Sequence, residues 1–219
     1  MIFPELKNIN TKCVNLNAEA IDWIKGKIFP STDHPLLDPA ICQEMVDDVH
    51  KKYDVVFSYG GWMEDRSFLW HGSYLDKDRA YIHLGVDLNV PPGTKVATDF
   101  SAEVVRIDDD YPEQGGWGPR VILRNMESDI YVVYAHLDRE IGCKVGDFLK
   151  KNTIFASVGK APYNGNWFPH LHVQTISTEY FNELNQNNSW ANLDGYGSPN
   201  KIEQNKKRFP DPMKYISLI

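Results

Sequence analysis

The sequence predicts a β-rich α+β fold with an antiparallel sheet at its centre, because three regions of its 219 residues differ in pattern. Residues 81–177 contain short alternating or β-branched segments separated by turn residues, which is typical of antiparallel strands. Residues 1–80 contain helical patterns and are expected to form a mixed, partly helical N-terminal extension. Residues 178–219 are rich in Asn, Lys and Pro, and are expected to pack on the core as a tail without regular structure.

Two helices are predicted in the N-terminal extension. Asn17 is a candidate N-cap for a helix over 18–25, because its side chain can accept from the first free backbone N–H groups. Asp38 followed by Pro39 is typical of a helix start, and this second helix is expected to run toward Lys52. The segment 30–35 is the predicted loop between the two helices.

Core strands are predicted where residues alternate or are β-branched, at 94–98, 103–107, 120–125 and 130–136. Turns are expected at Pro92-Gly93, Gly115-Gly116 and Lys151-Asn152. No internal repeat with a period of 20–50 residues is present.

Composition excludes several classes of function. A hydrophobic content of 42% and a charged content of 24% are ordinary for a folded globular protein. The net charge of −7 and the lack of a basic face argue against nucleic acid as a partner. No segment reaches the roughly 18 apolar residues of a membrane span. The oligomeric state is left open.

The expected location is the cytoplasm. The first twenty residues contain no apolar run of the kind that a secretory signal requires. Three cysteines without a CxxC pair predict free thiols and a reducing compartment. An extracytoplasmic location is the alternative if a leader has been removed.

The motif His-x-x-x-Asp occurs three times, and context separates the copies. They are His34/Asp38, His50/Asp54 and His83/Asp87. The first copy falls in an irregular stretch, and the second falls at the end of a predicted surface helix, where a solvated pair is expected. The third falls in the strand-like segment 81–90, where residues four apart point to the same face. Only this copy is expected to reach one metal ion.

Three further histidines follow the third copy. His170 and His172 are two residues apart in a predicted strand and therefore share a face, and His136 ends the segment Tyr-Val-Val-Tyr-Ala-His. Four histidines and one aspartate can supply three ligands to zinc and two imidazoles beside it. Three protein ligands with one position open for water are typical of catalytic zinc.

These segments carry a resemblance to a known family. Residues 82–175 resemble the lysostaphin-type zinc metallopeptidases, which are peptidoglycan endopeptidases of the duplicated-hybrid-motif fold. The matching segments are HLGVDLNVPPGTKVAT (83–98), VVYAHLD (132–138), KVGDFLKKNTIFASVG (144–159) and PHLHVQ (169–174). Gln174 stands where relatives more often carry glutamate.

The resemblance implies a zinc-dependent metallopeptidase that hydrolyses a peptide or amide bond through a metal-activated water. His83, Asp87 and His172 would be the zinc ligands, and His136 and His170 the unligated catalytic histidines. One of these two would act as general base and the other would stabilise the oxyanion or the leaving nitrogen. The sequence leaves their order open. The implied substrate is a peptide or peptidoglycan-like chain, with a small residue such as glycine or D-alanine at the cleaved bond.

Two other functions compete with this hypothesis. One is a non-catalytic, zinc-stabilised binding or regulatory module, and the other is a cytosolic amidase of a small metabolite. The presence of all five residues favours an enzyme, and a long groove would favour a polymer substrate over a small amide.

The loop residues Asn164, Asn166 and Trp167 are candidates to line a substrate groove. Tryptophans such as Trp117 and Trp167 are, however, more often core residues than substrate-binding residues. Short soluble peptides are expected to be better substrates than intact sacculi.

Overall fold

The computed structural model describes residues 1–30, 33–110 and 115–218, and it confirms the predicted β-rich α+β class. Residues 31 and 32 of the predicted interhelical loop lie outside the described residues. Within the described residues the chain forms twelve strands: β1 (Thr11–Cys13), β2 (Phe57–Gly60), β3 (Ile82–His83), β4 (Val86–Asn89), β5 (Lys95–Ala97), β6 (Ala102–Asp110), β7 (Gly118–Asn125), β8 (Ile130–Ala135), β9 (Phe148–Leu149), β10 (Ile154–Ser157), β11 (Leu171–Ser177) and β12 (Tyr196–Gly197). The same residues form four α-helices: α1 (Leu16–Ile24), α2 (Pro39–Tyr53), α3 (Thr178–Gln186) and α4 (Ile202–Arg208).

Eight of these strands form the central sheet in the order β1-β2-β4-β11-β8-β7-β6-β9. All neighbours in it are antiparallel except β1 and β2, which are parallel. Two small antiparallel sheets, β10-β5 and β12-β3, accompany it. The four predicted core strands correspond to β5, β6, β7 and β8.

The central sheet is buried on both faces because its strands alternate between two hydrophobic clusters. Along β8, Val132 and Tyr134 face a cluster shared with β5 and β10, whereas Val133 and Ala135 face a second cluster. Side chains of successive residues in a strand point to opposite faces, so one apolar strand can serve both layers.

The C-terminal region covers the second face, and the prediction of a tail without regular structure is wrong. Helix α3 begins after Ser177, whose side chain caps the N–H of Tyr180. Tyr180, Phe181 and Leu184 are buried on the helix face that packs on the sheet. Three buried apolar residues within one helical turn stabilise this helix despite its polar neighbours.

The first helix of the N-terminal extension begins two residues earlier than predicted. Asn15 is its N-cap and accepts from the N–H of Ala18. Asn17 instead lies inside the helix, and its side chain accepts from the backbone N–H groups of Phe68 and Leu69. It therefore attaches α1 to the segment that leads into the core.

The second helix begins as the sequence predicts. Asp38 caps α2 through the N–H groups of Ala40 and Ile41, with Pro39 in the first turn. The helix ends at Tyr53, one residue beyond the expected Lys52. None of the helices in the described ranges is long and apolar enough to cross a membrane.

The extension also adds two strands to the central sheet. Strand β2 pairs with β4, so that Gly60 lies opposite Asp87, and β4 pairs on its other side with β11, so that Asp87 also lies opposite His172. The chain that follows β2, from Gly61 to Arg66, is thereby held beside Asp87.

The sequence predicts one continuous strand from His83 to Asp87, and this prediction is wrong. The segment breaks at Leu84 and Gly85 into β3, which pairs with β12, and β4, which lies in the central sheet. A Cβ atom on Gly85 would lie 2.6 Å from Nε2 of His172, so this position accepts no side chain without movement. The break lets the chain pass close to that imidazole.

Candidate metal centre

The sheet register brings three side chains of the predicted site together. The ligand atoms of His83, Asp87 and His172 all lie within 4.8 Å of one another, and all three residues are buried. Oδ1 of Asp87 lies 3.4 Å from Nε2 of His83 and 3.0 Å from Nδ1 of His172, and the two nitrogens are 3.0 Å apart. The described residues contain no second group of this kind.

Hydrogen bonds at the far side of each ring determine which nitrogen faces the centre. Nδ1 of His83 donates to the carbonyl of Gly61 over 3.1 Å, which leaves Nε2 with its lone pair. Nε2 of His172 lies 3.0 Å from Oε1 of Gln174. Because the Gln174 amide nitrogen donates to the carbonyl of Asp194, its oxygen accepts from His172, and Nδ1 of His172 keeps its lone pair.

This arrangement fits a cation. Two imidazole lone pairs and one carboxylate oxygen face each other over 3.0–3.4 Å, with no donor hydrogen among them. A divalent metal relieves that repulsion, and two imidazoles with one carboxylate are a ligand set of catalytic zinc. Ligating histidines also commonly donate their second N–H to a carbonyl or carboxylate, as His83 does to Gly61.

The two remaining histidines lie beside this centre and share one tautomer. Nδ1 of His136 donates to the carbonyl of Asn164, and Nδ1 of His170 donates to the carbonyl of Phe168, both over 2.8 Å. Their rings are 4.5 Å apart between centroids, and Nε2 of His170 lies 3.5 Å from Oδ1 of Asp87. Both free Nε2 atoms can accept a proton next to the metal position.

Burial keeps these imidazoles neutral. It lowers the pKa of His83 to about 3, with the charge of Arg66 adding to the effect. Burial and the neighbouring imidazoles hold the pKa of His136 well below its usual value, and burial also lowers the pKa of His170. Burial opposes the charged form of Asp87, but His83, His170 and Arg66 hold the pKa of Asp87 well below its usual value. Neutral imidazole and ionised carboxylate are the forms that bind a metal.

An arginine that the sequence analysis missed contacts this centre. Arg66 is 1% exposed, and its Nη1 donates to Oδ2 of Asp87. Its Nε donates to Glu64 over 3.0 Å, and its Nη1 lies 3.3 Å from the hydroxyl of Tyr196. No motif signals Arg66, because the pairing of β2 with β4 brings its segment to the site.

A cleft of about 230 Å³ opens over His136, His170 and His172. Five tryptophan and tyrosine side chains line it: Trp70, Tyr74, Trp117, Trp167 and Tyr196. Trp70 and Tyr74 come from the N-terminal extension. Trp117 and Trp167 line the cleft, as expected of Trp167 as a loop candidate, and both are partly buried against hydrophobic clusters. Both lie on loops whose indole N–H groups donate to backbone carbonyls, of Leu193 and Gly116 respectively.

The remaining candidate residues that the sequence analysis singled out do not line the cleft. Asn164 is fully buried, and it holds His136 through its carbonyl rather than lining the cleft. Asn166 lines a neighbouring cavity. His50 is half-buried and forms a hydrogen bond with Ser58. The prediction that His50 and Asp54 form a solvated pair is therefore wrong.

A comparison with known proteins finds one family model that matches the region containing the site. Residues 81–186 match the model described as peptidase family M23. This match confirms the resemblance to the lysostaphin-type peptidases. No curated protein matches the chain.

Several solved structures are similar to this chain. The catalytic domain of the antimicrobial peptidase lysostaphin from Staphylococcus simulans is 24% identical with a TM-score of 0.42, covering 62% of this chain and 79% of that one. LytU is 22% identical with a TM-score of 0.38, covering 58% and 79%. A zinc-containing peptidase from Vibrio cholerae is 22% identical with a TM-score of 0.38, covering 48% and 30%. The family assignment depends on the match of residues 81–186.

Proposed function

We propose, from the premise that residues 81–186 belong to peptidase family M23, that this protein is a zinc-dependent endopeptidase acting on a peptide or peptidoglycan-like chain. His83, Asp87 and His172 are the zinc ligands in this proposal, and His136 and His170 are the catalytic histidines. The observation that carries it is the set of three facing ligand atoms, two imidazole nitrogens and one carboxylate oxygen, at the floor of an aromatic cleft.

Zinc bound by these ligands supplies Lewis acidity, which lowers the pKa of a water molecule and polarises a carbonyl group. The chain supplies the proton transfers. His136 and His170 each present a free Nε2, so one can accept the proton of the attacking water. That proton is the one that passes to the leaving nitrogen, either from the ring that accepted it or through the second ring. Whichever ring carries the proton on Nε2 can meanwhile donate a hydrogen bond to the developing oxyanion.

The fixed tautomers make this pair ready for proton transfer. The Nδ1–H of each ring is held by a backbone carbonyl, so neither ring can rotate its N–H toward the cleft without losing that bond. The low pKa of each ring keeps Nε2 unprotonated before substrate binds. Either histidine meets the requirements of a general base, and their order stays a prediction.

The cleft favours a small residue at the cleaved bond. Its volume of about 230 Å³ is bounded by bulky aromatic rings, including Trp70 and Trp167, whose centroids are 4.8 Å apart. A neighbouring cavity of about 900 Å³ shares Tyr74, Gly115 and Trp167 with the cleft. Since the two cavities adjoin, the space continues beyond the reacting bond, and this supports a peptide chain over a small amide metabolite.

The test is a panel of short peptides incubated with the zinc-loaded protein. Peptides with Gly-Gly or a D-alanine bond at the centre are expected to be cleaved at least about tenfold faster than matched peptides with leucine there, because a larger side chain has to fit between the aromatic walls of the cleft. Cleavage is measured as the appearance of free amino groups, with purified sacculi as a separate arm. A zinc-loaded, folded protein that cleaves none of the peptides or sacculi contradicts the proposal and favours the non-catalytic binding module.

A further inference from the structure

We propose that Arg66 is a positioning residue that restricts Asp87 to binding the metal through Oδ1 alone. The inference rests on the proposed zinc site, and it concerns a residue outside the five that the motifs provide. Arg66 is almost fully buried, although a buried guanidinium costs free energy unless its donors are satisfied.

The two oxygens of the Asp87 carboxylate have separate partners. Oδ2 accepts from Nη1 of Arg66. Oδ1 faces the imidazoles, at 3.0 Å from His172, 3.4 Å from His83 and 3.5 Å from His170. A charge-assisted hydrogen bond to Oδ2 prevents the carboxylate from turning both oxygens toward the metal. The coordination position that a second oxygen would occupy is thereby kept for water.

Glu64 holds Arg66 in turn. Its Oε1 accepts from Nε of Arg66 over 3.0 Å, and the Glu64 side chain is only 6% exposed. The guanidinium is planar, so a bond at Nε and a bond at Nη1 together fix both its position and its orientation. The ion pairs also balance charge, since Arg66 and Glu64 contribute no net charge to the site.

The same short segment holds a second metal ligand. The carbonyl of Gly61 accepts from Nδ1 of His83, five residues before Arg66. A Cβ atom on Gly61 would lie 2.3 Å from Nη2 of Arg66 and 2.6 Å from Nδ1 of His83, at a φ of +112°. Glycine is therefore required where the backbone, the guanidinium and the imidazole meet. The segment 61–66 supports both His83 and Asp87 from behind.

The test is the double variant Glu64→Gln/Arg66→Met, which removes the hydrogen bond to Oδ2 while leaving the net charge of the site unchanged. Zinc affinity is measured by competition with a chromophoric chelator, and the coordination number is followed by the visible absorption of the cobalt(II)-substituted protein. Zinc affinity is expected to fall about 10–100-fold, the range for residues that support metal ligands. The cobalt absorption is expected to weaken, as it does when a four-coordinate ion gains a further oxygen ligand.

A second double variant, Asp108→Asn/Arg120→Met, is the matched control. It removes another arginine–carboxylate pair, in which Arg120 is buried and Asp108 is partly buried, with Nε of Arg120 3.2 Å from Asp108, on strands that carry no zinc ligand. Its zinc affinity and cobalt spectrum are expected to equal those of the wild type. Thermal unfolding followed by circular dichroism shows that each variant is folded. Glu64→Gln/Arg66→Leu, which also leaves Oδ2 without this donor, is the second variant if Glu64→Gln/Arg66→Met does not fold.

The outcomes separate this inference from the proposed function. Wild-type protein that binds no zinc contradicts the proposed function. Wild-type protein that binds zinc, with a folded Arg66 variant of unchanged affinity and unchanged cobalt spectrum, contradicts only the role of Arg66. An equal loss of affinity in the Asp108/Arg120 control also contradicts it, because the effect would then follow from lost stability.

Discussion

Replacing His170 with alanine is expected to leave about one zinc per chain and to lower kcat/KM at least about a hundredfold, because it removes general acid–base help without removing a ligand. The structure supports this separation, since Nδ1 of His170 is bonded to a carbonyl and its Nε2 lies in the cleft beside Asp87. Hydrolysis of the best peptide of the panel and elemental analysis on the same sample measure the two quantities.

Replacing His136 is also expected to leave the zinc in place and to lower kcat/KM, and asparagine is the better replacement. His136 has a φ of 61°, in the left-handed region, which asparagine adopts more readily than alanine does. His136→Asn therefore removes the imidazole with less backbone strain than His136→Ala. A loss of zinc from either His170→Ala or His136→Asn would show that the replaced residue is a ligand, and an unchanged rate would show that it is not catalytic.

His172→Ala is expected to abolish both zinc binding and hydrolysis. The substitution leaves two of the three facing atoms, and Gln174 loses the imidazole that its side chain now contacts. Because a two-ligand site rarely retains zinc, the zinc content is expected to fall well below one per chain after dialysis.

His71→Ala is the matched control for zinc content, since His71 is exposed and lies outside the candidate centre. It is expected to keep about one zinc per chain. Full zinc occupancy in His172→Ala would show that the ligand assignment is wrong. Loss of zinc in both variants would show that the loss in His172→Ala is not specific to the candidate centre, and it would not support the ligand assignment.

The residues that face the centre were accessible to sequence analysis because short-range patterns mark them. His170 and His172 are two residues apart at the start of β11, where the spacing predicts that they share a face. His83 and Asp87 are four residues apart, but they lie on two strands, β3 and β4, so the pair meets through the break between these strands and not through one continuous strand. The structure brings these four residues and His136 together in one place. It does not test their separate roles, and these stay predictions, as do the domain boundaries and the location of the protein.

The residues that hold these side chains in place could not be predicted from the sequence. Arg66 reaches Asp87 because β2 pairs with β4, and Gln174 has a defined partner only because the β12 region brings the carbonyl of Asp194 to it. Such contacts depend on strand order and register, which a single sequence does not determine. The break at Leu84 and Gly85 was missed for a related reason, since the alternation of residues continues through it.

Helix α3 is not evident from the composition of the C-terminal region, which is mainly polar. Its polar residues are those that face solvent, and the three apolar residues that decide its packing are few in number. The cleft position of Trp117 has no signal in the sequence, whereas Trp167 was a candidate because of its place in the loop before His170. Both rings pack on hydrophobic clusters and line the cleft with their remaining surface.

The central claim is that one zinc ion, held by His83, Asp87 and His172, is required for hydrolysis. Titrating zinc into protein freed of metal by a chelator tests it most directly, with bound zinc and peptide hydrolysis followed in the same sample. Both signals are expected to rise together and to saturate at about one zinc per chain. Hydrolysis by the metal-free protein, or activity that does not rise as the first equivalent of zinc binds, would contradict the claim.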